Sequence, residues 1–68
     1  MITVKVEGTV GSSILDVIAE MQEFSAKLDV CTQQDVNGIT VLVFPHTVPS
    51  ELNERYKKAA DLNRTVVS

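Results

Sequence analysis

Cysteine is almost absent from this chain. Cys31 stands alone, so no disulfide can close within it. His46 is the only histidine, and no Cys/His cluster has the spacing of a zinc site. Neither a metal nor a cofactor is expected. No apolar run approaches the ~20 residues that a membrane-spanning helix needs, so no membrane partner is expected. Met1-Ile2-Thr3-Val4-Lys5 has no basic region followed by an apolar run. With the lone thiol, this points to a reducing cytoplasm. The two glycines of Gly8-Thr9-Val10-Gly11-Ser12-Ser13 belong to no G-x-G-x-x-G, and no Lys-Ser/Thr pair follows them. That stretch reads as a plain connector, the alternative being an anion site at the helix start.

An excess of base is also lacking. The 68 residues carry a formal net charge of −3. Residues 1–54 hold Lys5 and Lys27 against eight acids, a net of −6. Residues 55–68 hold Arg55, Lys57, Lys58 and Arg64 against Asp61, a net of +3. An acidic whole argues against general nucleic-acid binding.

A chain this short forms one small domain over residues 1–68, and its burial and ordering terms nearly cancel. Without a disulfide or metal to add stability, a partner chain is the remaining source. A homo-oligomer is therefore expected.

What is present is an orderly pattern of elements. Ile2-Thr3-Val4-Lys5-Val6-Glu7 alternates apolar and polar, which predicts a half-buried strand. Ser12 or Ser13 can cap a helix over residues 13–28, with Asp16 in the capping-box position. Ile14, Val17, Ile18, Met21, Phe24 and Leu28 share one stripe of that helix. Asp16, Glu20, Glu23 and Lys27 share the opposite face. Asn37-Gly38 is the pair best suited to a type I′ turn, and β-branched residues flank it. It predicts a hairpin with two faces. Val30, Thr32, Gln34, Val36, Ile39, Val41 and Val43 form one. Cys31, Gln33, Asp35, Thr40, Leu42 and Phe44 form the other.

The second hairpin strand is apolar on both sides, which suits the middle of a sheet or an interface. Pro45 ends it. Pro49 suits the first turn of a second helix, with Ser50 as a cap one residue later. Val48, Leu52, Tyr56, Ala59 and Leu62 form its apolar stripe. Residues 64–68 read as a tail that frays or adds a strand to a partner. The expected fold is α+β, in the order β-α-β-β-α. Its three-stranded antiparallel sheet, in the order 1-3-2, packs against two helices.

Few residues suggest chemistry. His46 follows the central strand, roughly opposite Asp29, which is the minimum for general-base work. No nucleophile stands at a recognisable spacing, and Cys31 reads as a small apolar residue. The chain is therefore expected not to be an enzyme. Glu51–Arg55, Glu54–Lys58 and Lys57–Asp61 are i,i+4 pairs on one helix, a self-neutralised face. Arg64 has no such local acid. If both helices cover the Val face, Leu42 and Phe44 lie on a bare one and mark a contact surface. Val41, Leu42 and Phe44 are the candidates for an oligomer contact.

One stretch carries a resemblance. Asn37-Gly38-Ile39-Thr40-Val41-Leu42-Val43-Phe44-Pro45-His46-Thr47-Val48-Pro49-Ser50-Glu51-Leu52 leads to Glu54-Arg55-Tyr56. Over residues 30–57 the chain resembles small phage-type proteins with an Asn-Gly hairpin, a strand closing on Pro and a Pro-led helix. It departs from them at Gln33-Gln34-Asp35-Val36, which lacks an aromatic before the turn. Some small phage proteins act against host defences, by sequestering nucleotide signals or by capping host proteins. Joined to the expected homo-oligomer without a catalytic set, the resemblance implies an anti-defence protein in the host cytoplasm that holds a nucleotide-like signal. Tyr56 would stack on a base, and Arg55 or Arg64 would meet phosphate, with His46 as a further contact. The alternative is an interaction module that inhibits a host protein through its sheet face or its acidic first helix.

Overall fold

The computed structural model describes residues 2–7 and 13–68. The expected loop at 8–11 and the alternative cap Ser12 lie outside the described residues.

Local chemistry sets each element. β1 (Thr3–Lys5) forms within the alternating stretch. Ser13 caps α1 (Ile14–Leu28), its Oγ accepting the Asp16 N–H at 3.2 Å. The helix ends where Asp29 turns left-handed, at φ 52°, and sends its N–H back to the Ser25 carbonyl. β2 (Cys31–Val36) and β3 (Ile39–Val43) close on Asn37 and Gly38 at φ 50° and 80°. A type I′ turn needs this pair of positive angles. α2 (Pro49–Asp61) begins with Val48 as its N-cap and no side-chain cap bond. Ser50 lies inside the helix and is not its cap. Pro49 opens the first turn instead, and it has no N–H to satisfy. β4 (Val66–Val67) completes the chain.

The fold is α+β, with two helices and one mixed sheet of four strands in the order β1-β2-β3-β4. This corrects the expected three-stranded antiparallel sheet of order 1-3-2. β1 runs parallel to β2, with Thr3 opposite Cys31 and Lys5 opposite Gln33. β2 and β3 form the antiparallel hairpin, in the register that the two-residue turn dictates. β3 runs parallel to β4, with Thr40 opposite Val66 and Val41 opposite Val67. The two-sided apolar strand is central, as its composition requires. Its second neighbour is β4, brought round by α2, and not β1. Residues 66–67 thus extend the chain's own sheet and leave that part of the expected tail neither frayed nor donated to a partner.

Both helices cover the face of Thr32, Gln34, Ile39, Val41 and Val43. Ile18, Val41, Val43 and Leu52 are at most 1% exposed at the centre of the core. Val17, Met21, Tyr56, Ala59 and Val67 complete it. Phe24 and Leu28, expected on the inner stripe of α1, are 42% and 54% exposed. Val48 and Leu62, on the stripe of α2, are 49% and 62% exposed. Ser25 takes the buried place in the last turns of α1. Its Oγ lies 2.8 Å from Thr32 Oγ1 and donates to the Val43 carbonyl at 3.0 Å. Thr32, also fully buried, lies 3.4 Å from the carbonyls of both Met21 and Val43. Two hydroxyls placed against apolar neighbours are tolerated because each is hydrogen-bonded.

Candidate functional site

The sheet leaves one face without a helix. Alternation along the strands puts Thr3 and Lys5, Cys31, Gln33 and Asp35, Thr40 and Leu42, and Val66 on it. Leu42 is half-buried and Val66 is 56% exposed. Thr40 Oγ1 donates to Asp35 Oδ1 at 2.8 Å, which ties the polar edge of the face together. Past the end of β3, Phe44 stacks on His46, with ring centroids 5.7 Å apart and planes 18° from parallel. Phe44 is held there by its N–H, which donates to Thr47 Oγ1 at 2.8 Å. Cys31 is buried on this side of the sheet.

The candidate contact residues therefore separate. Leu42 points to the open face, while Val41 is 1% exposed in the core. Val41 cannot contact a partner without unfolding the domain, and its place as an interface residue is corrected. Val41 had to go inward once the helices took the Val face, and Leu42, the next residue, outward.

The candidate ligand residues separate as well. Tyr56 is buried, and its hydroxyl accepts a hydrogen bond from Asn37 Nδ2 at 3.3 Å beside the hairpin turn. Its ring packs within the core cluster. Arg55 Nη1 donates to the Ser68 carbonyl at 3.3 Å. Arg55, Lys58 and Arg64 share a depression of about 530 Å³ with Leu62, Val66 and Ser68. Arg64 also borders a second depression of about 390 Å³, by Asn37, Tyr56 and Asn63. His46 is at the other end of β3 from the Asn37-Gly38 turn and joins neither. Its contact is Phe44, and the described hydrogen bonds and ion pairs do not join it to Asp29. The expected i,i+4 ion pairs of α2 do not form among the described residues. Lys57 Nζ instead meets Glu54 Oε1 at 3.6 Å, one residue nearer in sequence.

A third feature escaped the sequence reading. Between α1 and β1 lies a groove of about 430 Å³, walled by Val4, Val6, Val17, Met21 and Phe24. Gln34 reaches it from the sheet, with Glu7 and Glu20 at the edge. The signal was Gln34 itself, an amide at an inward position between Thr32 and Val36. The described residues contain no group of three or more His, Cys, Asp or Glu able to hold a metal ion. Among the described residues, no helix is long and apolar enough to cross a membrane. Comparison with protein-family models, with curated proteins and with solved structures found no match.

Proposed function

We propose that this protein is a non-enzymatic binding module that associates with a second copy of itself through the open face of its sheet. The observation that carries this reading is the face itself: four strands, helices on one side only, and Leu42 and Val66 turned outward on the other. Apolar side chains on an uncovered sheet of a small domain mark a contact surface. Lys5 and Asp35 on the same face supply opposite charges that fix the orientation of a partner. The 16 strand residues, with strands spaced by about 4.8 Å and a rise of about 3.3 Å per residue, give a face of roughly 250 Å² in projection. That is about a third of the per-partner area of a standard interface. The dimer is accordingly weak, with dissociation in the micromolar range or above. Sedimentation across a concentration series tests it. The unmodified protein is expected to shift from monomer to dimer, and Leu42→Glu to stay a folded monomer. A monomer throughout for the unmodified protein removes this reading.

A second reading has its own observation. Arg55, Lys58 and Arg64 around about 530 Å³ would suit the phosphates of a nucleotide-like signal, the role of an anti-defence factor of phage type. Tyr56 does not supply the base platform in it, because its ring belongs to the core. Thermal-shift measurements with cyclic and ADP-ribose-derived nucleotides test this reading. Stabilisation that Arg64→Ala abolishes supports it, and no stabilisation by any of them removes it.

A further inference from the structure

α2 packs closely on its outer strand β4, but α1 makes no close backbone approach to β1. The groove of about 430 Å³ is the space left there. It has the volume of about fourteen waters in the liquid, and it falls in the range of small-molecule sites. Val17 and Met21 line it from α1, at 7% and 4% exposure, and Val4 and Val6 line it from β1. Gln34 is 6% exposed and lines the groove from β2. Its amide can both donate and accept, which suits it to a ligand's polar group.

The edge of the groove selects charge. Glu20 borders it from α1. An adjoining shallow depression shares Glu20 and Phe24 and adds Glu23 and Lys27. Lys5 and Glu7 also border the groove, but along β1 both alternate to the open face, like Gln33, the ladder partner of Lys5. That leaves the Glu20 carboxylate as the charge at the edge of the groove. Phe24, 42% exposed at the edge, offers a ring on which a cation is attracted.

We propose that this groove binds a small amphipathic amine, with its apolar body between α1 and β1, its ammonium at Glu20 and a hydrogen bond to Gln34. The proposal is independent of the open-face dimer and opposite in charge to the nucleotide reading. Three matched probes test it: 4-phenylbutylamine, 4-phenylbutanol and 4-phenylbutyrate, each titrated into the full chain and followed by NMR. The amine is expected to bind tightest and the carboxylate weakest, with shifts at the Gln34 amide, the Met21 methyl and Val4. Glu20→Lys, an exposed position, is expected to weaken the amine about three- to fivefold and to favour the carboxylate. The dispersion of its spectrum reports whether it is folded, and Glu20→Gln serves as the milder variant. Equal binding of all three probes overturns the proposal. So does no binding, shifts that map to Arg64 or Leu42, or an amine affinity unchanged by both Glu20 variants.

Discussion

The chain is built as two β-α-β halves that meet at Asn37-Gly38, and they close differently. In the second half α2 rests on β4, and Val67 of that strand is buried at 8% exposure. In the first half α1 leans on β2, β3 and α2, while β1 is short and Ile2 beside it is 70% exposed. The second half is held by apolar packing out to its edge. The first is fastened near its middle, by the Ser25–Thr32 hydroxyl pair and the Val43 carbonyl. Equal architecture thus gives a filled edge on one side and a groove on the other. A two-residue strand with one inward valine can be worth more than a longer alternating one. What decides is whether a helix lies over it.

The largest effect separates the two sheet faces that both halves share. Val41→Glu buries an unpaired carboxylate and is expected to cost about 4 kcal/mol or more, enough to unfold a domain of this size. Leu42→Glu, one residue on, is expected to leave the melting curve cooperative. Circular dichroism melts of the two variants check this, and equal losses would mean that both faces are core. Next comes the contrast between the halves. Leu52→Ala in α2 is expected to cost about 3 kcal/mol, because that side chain is fully buried. Val4→Ala in β1 is expected to cost about 1 kcal/mol or less, since it borders open space. Urea midpoints measure both, and the comparison breaks if they agree.

The fastening of the first half gives a smaller effect. Ser25→Ala leaves Thr32 within reach of two carbonyls, and a loss of about 1–2 kcal/mol is expected. A neutral outcome would show that the hydroxyl pair holds nothing. The smallest effect lies at the joint. Gly38→Ala finds no atom within 4 Å of the added carbon, so only the backbone angle of +80° resists it. A cost of about 1 kcal/mol is expected, read as a shift in the denaturation midpoint.

Much of this was legible in the residues. Ser13 and Asp16 start α1 where the capping pattern puts them. Asn37-Gly38 makes the hairpin and its register. The division of the hairpin into Val and Leu/Phe faces follows from period-two alternation alone. The site was less legible. Tyr56 and Arg64 both border the depression beside the turn, but Tyr56 is buried in the core cluster, and His46 belongs to the other end of the strand. The groove left only the misplaced Gln34 as its trace.

Turn type, helix start and strand-face assignment are local properties, written in neighbours a few residues apart, and the sequence by itself determined them. The partner of β3 was decided only by the tertiary structure. β1 and Val66-Val67 both competed for its free edge. The outcome depended on where α2 returned the chain, and on Val67 reaching the core beside Val41. Strand pairing across tens of residues is set by the packing of the helices between them, and no short pattern encodes that. The same packing decided that α1 would leave β1 uncovered, and so placed the groove.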